Sequence, residues 1–287
     1  MDGIIVVDKP AGVTSREVDN LAKKVLDEPG VGHLGTLDPF ATGVLVLGIG
    51  RGTKCFPFME DLSKTYRATL ALGAQTDTGE HTGAIIQTAP VPQLSLEQIE
   101  EVLESFLGET EQLPPSYSAK HVDGKRAYEI ARSGGQVKLA PQTIRIDRIK
   151  LIDFNSEEKT LVFEADVSKG TYMRTLGEDV AKKLNTVGHL TALRRLRVGP
   201  FRADFGCAPE DLKTAKVLSM SEALSFLPAV ELTPAQVKAV SYGSPLFLSD
   251  QTAERIRCVG TDGQLLAVYG RDRSGSYRCL RGFASKK

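Results

Sequence analysis

The segment GHLGTLDPFATGVLVLG, residues 32–48, sets one acid, Asp38, between a glycine-rich approach and an apolar run, with a proline directly behind it. Aspartate favours turns and a residue before proline is pushed out of helical backbone, so Leu-Asp-Pro alone reads as a turn. Its surroundings add a second reading. Gly32, Gly35 and Gly43 allow sharp bends or close backbone approach, and the apolar run behind them supplies a stiff strand. An acid on such a platform is a candidate nucleophile or general base. A carboxylate beside apolar surface needs a cation to stay ionised, and Arg174 in SKGTYMRTLGED, at a strand-to-helix junction, is the candidate. A surface ion pair is the ordinary use of such an arginine.

Tyr66 and Tyr172 stand on strands or strand ends beside Lys64, Arg67, Lys169 and Arg174. Half-buried packing and stacking on a nucleobase are both open to them. In PPSYSAKHVDGKRAYEIARSGG, the residues Lys120, Lys125, Arg126 and Arg132 belong either to a solvated loop with a short helix or to a basic arm that grips phosphates. His33 and His81 lack any metal-ligand spacing, and Cys55, Cys207, Cys258 and Cys279 form no C-x-x-C pair. Neither a metal site nor a disulfide framework is expected, and reduced thiols fit a cytoplasmic protein.

The elements that must position these residues are legible from pattern. GIIVVDKP reads as a buried strand stopped by Pro10, and Thr14 with Glu17 is spaced as a capping box ahead of an amphipathic helix that ends before Pro29-Gly30. VLVLGIG and KTYRATLALG read as strands. In SLEQIEEVLESFLG, Ser95 and Gln98 cap a helix whose stripe is Leu96, Ile99, Val102, Leu103 and Phe106, with Gly108 as its stop. TIRIDRIKLIDF and TLVFEADVSKG predict an antiparallel hairpin, and RTLGEDVAKKLN a further helix. APEDLKTAKVLSMSEALSFLP reads as helical up to Pro228, and the remainder as short strands and turns of a small β-rich module. Strands and helices mix without a βαβ rhythm, so the class is α+β, with units at 1–228 and 229–287.

The 287 residues suffice for one large and one small unit; 41% are apolar and 25% charged, as in ordinary globular chains. No run approaches the roughly 20 apolar residues of a membrane helix, and MDGIIVVDKPAG lacks the features of an export signal, so a soluble cytoplasmic protein is expected. The formal net charge is zero, which argues against a uniformly basic nucleic-acid binder. Its distribution differs. Residues 180–203 contain Lys182, Lys183, Arg194, Arg195, Arg197 and Arg202 without an acid, and the chain from Arg255 onward is also strongly basic.

Six ordered blocks, VVDKPAGVTS, GHLGTLDPFATGVL, KTYRATLALGAQTDTGE, PPSYSAKHVDGKRAYE, VSKGTYMRTLGEDV and HLTALRRLRVGPF, span roughly the first 205 residues and closely resemble the bacterial TruB family of tRNA pseudouridine synthases. The resemblance implies a mixed, largely antiparallel sheet with flanking helices and a central catalytic cleft, followed by a PUA-like RNA-binding module. It implies isomerisation of uridine-55 in the T loop of tRNA, by flipping the base and exchanging a C–N for a C–C glycosidic bond. It implies roles for Asp38 as the essential aspartate, Tyr66 as the tyrosine packed on the target base and Arg174 as the aspartate's partner. Tyr172 and Leu193 match pocket residues, and His33 the histidine that enters the T loop. Lys64, Lys120, Lys125 and Arg126 are expected on the substrate. The family usually has its arm lysine where this chain has His121, beside Lys120. No cofactor, no metal, no protein partner and a monomer are implied. The competing readings are a non-catalytic RNA binder, for which a paired acid and arginine would be idle, and a glycoside hydrolase, which normally needs a second matched carboxylate.

Overall fold

The computed structural model describes residues 1–115, 121–122, 125–126, 140–248 and 250–283, the two short pairs by backbone only. The elements in chain order are β1 (Gly3–Lys9), α1 (Ser15–Leu26), β2 (Val31–Leu34), β3 (Thr42–Ile49), β4 (Lys64–Leu72), β5 (Ala74–Thr76), β6 (Ile85–Thr88), α2 (Leu96–Glu104), β7 (Gly108–Gln112), β8 (His121–Val122) and β9 (Lys125–Arg126). There follow β10 (Gln142–Asn155), β11 (Thr160–Val167), α3 (Met173–Lys183), β12 (Gly188–Val198) and β13 (Phe201–Arg202). The last elements are β14 (Ala229–Glu231), α4 (Pro234–Ser241), β15 (Arg255–Val259), β16 (Leu265–Arg271) and β17 (Tyr277–Gly282).

Among the described residues nine strands form the main sheet, ordered β1-β3-β12-β4-β11-β10-β7, with β2 alongside β3 and β13 alongside β12. Every pairing is antiparallel except β3 with β12, which run parallel and join through Thr42 opposite Arg194 and Gly43 opposite Arg195. This seam is the fold's most consequential local feature, because the loop carrying Asp38 enters β3 there. Gly43 has φ +102, and a Cβ at that position would overlap the Arg195 carbonyl oxygen, so a larger residue would force the seam apart.

Helices α2 and α3 cover one face: Ile99, Leu103, Leu176 and Val180 pack on Leu70, Leu161, Phe163 and Leu190. Helix α1 covers β1 and β3 through Val18 and Ala22 against Ile5, Val7, Leu45 and Leu47. Each fully buried valine, leucine, isoleucine or phenylalanine among these contributes about 1.5–3 kcal/mol. The predicted boxes are present at both Thr14/Glu17 and Ser95/Gln98. The four-stranded second sheet, β14-β15-β16-β17, encloses its own core around Ile256, Tyr269 and Tyr277. Its Leu265, Val268 and Phe283 also join Ile4, Val6 and Val46 of the main sheet in one cluster.

Several local expectations are corrected. Gly108 does not stop α2, which ends at Glu104; it opens β7 with φ +92. Leu96, at the first turn of α2, is 54% exposed and leaves the buried stripe. The stretch 208–228 is not a continuous helix but a 3-10 segment, Pro209–Thr214, and a single turn, Met220–Ala223. The stretch after Pro228, read as strands and turns, also contains a helix, α4, with its own capping box at Thr233/Gln236.

Candidate active site

Asp38 lies on the loop between β2 and β3, and that loop is tied down at nearly every residue. Ser15, the first residue of α1, accepts from the Leu37 N–H (2.9 Å) and donates to its carbonyl (3.1 Å). The Gly12 N–H donates to the Pro39 carbonyl (2.8 Å). Arg195, 1% exposed on β12, donates through Nη2 to the Gly35 carbonyl (2.9 Å) and through Nε to the Val44 carbonyl (2.7 Å), clamping both ends of the loop. Lys9, fully buried at the end of β1, donates to the carbonyls of Pro10, Val13 and Pro39. Burial lowers the Lys9 ammonium to about 8, Asp38 opposing the shift and Arg195 adding to it.

Arg174 meets this loop from the first turn of α3. Its Nε donates to Asp38 Oδ2 at 2.9 Å, Nη2 lies 3.5 Å from Oδ1, and Nη1 donates to the Thr78 carbonyl at 2.8 Å. The Arg174 side chain is 8% exposed and that of Asp38 36% exposed, so the guanidinium is buried while the carboxylate faces open space. The backbone at Tyr172, the N-cap of α3, is bracketed by Gln112, whose side chain accepts from its N–H (2.8 Å) and donates to its carbonyl (3.1 Å). The helix start, and Arg174 with it, is thereby fixed against β7.

The apolar residues flanking Asp38, namely Leu37, Phe40 and Ala41, belong to the same buried cluster as Tyr66, Leu193 and Met173. Tyr66 on β4 is opposite Arg195 on one side and Ala165 on the other, and Leu193 is opposite Ala68. Lys64 begins β4 and donates to the Leu62 carbonyl. Burial, and next the positive charge of Arg195, lower its ammonium to about 8. Asp38 and Arg174 therefore meet directly, Tyr66 and Leu193 share the buried cluster that flanks Asp38, Tyr172 caps the helix that carries Arg174, and the Lys64 stem passes close to Gly35 on the Asp38 loop.

His33 stands on β2, just before the Asp38 loop, opposite Leu47, and its ring is turned to α1. Lys120 lies outside the described residues. Lys125 and Arg126 are described only as the backbone of β9, paired with β8. No cluster able to hold a metal ion occurs among the described residues.

The basic run 180–203 does not form one patch. Arg195 is consumed by the loop; Arg194 pairs with Asp8, Arg197 with Asp166, and Arg202 with Asp204. These last three line a depression of about 540 Å³ with Arg148 and Thr65. Strand alternation at Thr65 and Tyr66 puts that depression on the sheet face opposite Tyr66. Sequence reading missed Lys9, Ser15, Gln112 and Arg195 as parts of the site. The available signal was a lone lysine closing an apolar strand, and an arginine at an inward position of an alternating strand.

Residues 23–173 match the model of the TruB family pseudouridylate synthase N-terminal domain, and residues 174–230 that of the tRNA pseudouridylate synthase B C-terminal domain. The chain is 41% identical over 253 residues to the tRNA pseudouridine synthase B of Geobacter sulfurreducens, covering 85% of this chain and 83% of that one. It is 42% identical over 271 residues to the same-named protein of Mycobacterium bovis, covering 93% and 91%. Among solved structures it is similar to a chain of a Cbf5–Nop10–Gar1 complex (TM-score 0.74, 22% identity, 98% of this chain and 84% of that one). It is also similar to a chain of an H/ACA ribonucleoprotein bound to a substrate RNA containing 2′-deoxyuridine (TM-score 0.73, 21% identity, 99% and 85%). The structural likenesses show that the chain shares the fold of those two chains, and the family models and sequence relatives show that it belongs to the TruB family of pseudouridylate synthases.

Proposed function

We propose that this chain converts uridine-55, in the T loop of tRNA, to pseudouridine, with Asp38 as the catalytic group. The observation that carries the reading is the Asp38–Arg174 pair: a carboxylate facing open space, held by a buried guanidinium at 2.9 Å, on a loop pinned from α1, β1 and β12. Relatives about 40% identical over most of the chain carry the name tRNA pseudouridine synthase B.

The reaction breaks the bond from N1 to C1′, turns the uracil and joins C5 to C1′. N1 gains a proton and C5 loses one, so there is no net redox change and no water is added. One carboxylate serves each of three routes: attack on C1′, removal of the 2′ proton to give a glycal, or attack on C6 of the base. All three require the uridine to leave its stack, at a cost of a few kcal/mol, and to be held while the uracil turns. Tyr66 supplies the packing surface for the base, Leu193 and Tyr172 the walls of its pocket, and Arg174 the fixed orientation of the carboxylate. His33 enters the RNA loop beside the extruded nucleotide. Lys64 and the arm residues Lys120, Lys125 and Arg126 contact phosphates.

Residues 1–228 form the catalytic unit on this reading, and residues 229–287 a PUA-like module that extends the RNA contact. The chain works without a cofactor, as a cytoplasmic monomer. The test is release of tritium from a T-arm RNA labelled at C5 of uridine, since that hydrogen must depart when the C–C bond forms. The wild-type chain releases label and Asp38→Asn does not, while RNA binding by the variant stays measurable. Undiminished release by Asp38→Asn removes Asp38 from its role.

A further inference from the structure

The imidazole of His33 is held at both nitrogens. Nδ1 lies 2.8 Å from Oδ2 of Asp19, and Nε2 3.2 Å from Oγ1 of Thr36. Asp19 projects from α1 and is 1% exposed, between core residues Val18 and Ala22 of the same helix. Its other oxygen, Oδ1, is buried and has no hydrogen-bond partner among the described residues. Arg16 reaches Oδ2 from the solvent side at 3.7 Å. A buried carboxylate that uses one of its oxygens and leaves the other bare is costly, and an aliphatic residue would serve packing better. What Asp19 provides, and an aliphatic residue would not, is an acceptor for one ring nitrogen.

We infer that Asp19 is a positioning residue for His33, fixing both the ring's orientation and its tautomer. An ionised carboxylate oxygen only accepts, so the proton on Nδ1 points at Asp19 and Nε2 is left toward Thr36 and solvent. Strand β2 fixes the backbone of His33, and the two side-chain contacts fix the rest. The ring thus meets the RNA already immobilised, and the entropy of holding it is spent in folding instead of binding. This inference rests on the proposed reading of His33 as the side chain that enters the RNA loop. Among the described residues, Asp19 touches the loop of Asp38 only through His33 and Thr36, and that loop is held independently by Ser15, Lys9 and Arg195, so its effect falls on RNA affinity rather than on the chemical step.

The test uses the intact chain with a T-arm RNA. Asp19→Leu removes the acceptor and fills the same buried volume; Asp19→Asn keeps an acceptor oxygen and loses the charge. Freeing one side chain to be ordered on binding raises Kd by about two- to twelvefold for Asp19→Leu. Asp19→Asn recovers most of that loss, and kcat at saturating RNA is retained. Nitrogen-15 spectra of the imidazoles show His33 protonated at Nδ1 in the wild type and shifted towards the Nε2 form in Asp19→Leu. Adding Asp19→Leu to His33→Ala produces no further loss, as expected if the aspartate acts through the histidine. Wild-type Kd with an unchanged imidazole spectrum in Asp19→Leu overturns the inference, provided His33→Ala binds weakly. Wild-type Kd in His33→Ala overturns instead the reading of His33 on which the inference stands. Should Asp19→Leu not fold, Asp19→Ala, which also removes the acceptor, carries the same spectroscopic comparison, and an unchanged ring in it overturns the inference.

Discussion

Replacing Arg174 by lysine isolates what the guanidinium does for Asp38, because the charge stays while the geometry goes. Arg174 reaches Asp38 through Nε and Nη2 and the Thr78 carbonyl through Nη1. A lysine ammonium on a flexible stem would keep one strong contact to the carboxylate, losing its second anchor and leaving the Thr78 carbonyl without this donor. A charge-assisted hydrogen bond contributes about 1.5–3 kcal/mol and an abandoned buried acceptor costs about 1–3 kcal/mol. Asp38 is 36% exposed, so solvent screens part of the first quantity, and the lower end applies to it. The net loss of positioning is roughly 2–4 kcal/mol, which is a fall in kcat of about 30- to 1,000-fold. The assay is single-turnover tritium release from C5-labelled T-arm RNA at saturating enzyme, with RNA affinity measured separately. Arg174 does not grip the phosphates on this view, so Kd stays near that of the wild type. A variant that reacts within about threefold of the wild-type rate would refute the claim that guanidinium geometry, rather than charge, orients Asp38.

Gly43→Ala forces a side chain into positive φ and onto the Arg195 carbonyl, so a loss of about 2–5 kcal/mol in urea unfolding is expected, with reduced activity in whatever folds. Wild-type stability would mean that the seam between β3 and β12 yields easily. Lys9→Met removes the donor shared by the carbonyls of Pro10, Val13 and Pro39 and should destabilise by about 1–3 kcal/mol in the same measurement; an unchanged midpoint would show that the buried ammonium holds nothing. The Lys64 ammonium, lowered to about 8, is charged below that pH and neutral above it, so RNA affinity at fixed ionic strength falls as pH rises through 8. Lys64→Arg stays charged throughout and flattens this dependence; an identical profile in the variant would exclude Lys64 as a phosphate contact. Lys9 titrates in the same range but is fully buried and does not face the RNA.

The parts of the fold legible from sequence are those whose signals are local. Thr14 with Glu17 and Ser95 with Gln98 announce helix starts because both partners of each cap lie within one turn. The hairpin of β10 and β11 announces itself through long alternation. Strand β2 was hidden by its length of four residues and by Gly32, and its identity as a strand comes from pairing with β3. Strand β12 was hidden because its arginines face both ways: Arg195 inward to the loop, Arg194 and Arg197 outward to Asp8 and Asp166. A run of positive charge therefore looked like a surface patch when it was a central strand. The segment 208–228 carries helical periodicity, yet Leu218 within it bonds Ile4 of β1, and Cys207 just before it bonds Asp8 and Val6. Tertiary hydrogen bonds outweighed propensity there.

The candidate site divides along the same line. Asp38 and its two tyrosines stood out by residue type and setting, whereas the contact of Asp38 with Arg174 joins positions 136 apart and is not contained in either local sequence. The supports are less visible still. Ser15, Lys9 and Arg195 act through backbone carbonyls and amides of the loop, a kind of contact that leaves no complementary residue type to notice. The question raised by Leu-Asp-Pro, turn or platform, resolves to both. The segment is a turn, and its rigidity comes from three distant side chains.

The most direct test of the central claim is to incubate the chain with an unmodified tRNA transcript and map pseudouridine along it by chemical labelling, in parallel with Asp38→Asn. The expected result is a single modified position, uridine-55 in the T loop, formed by the wild type and absent with the variant. Pseudouridine at other positions, none at all, or equal formation by Asp38→Asn would contradict it.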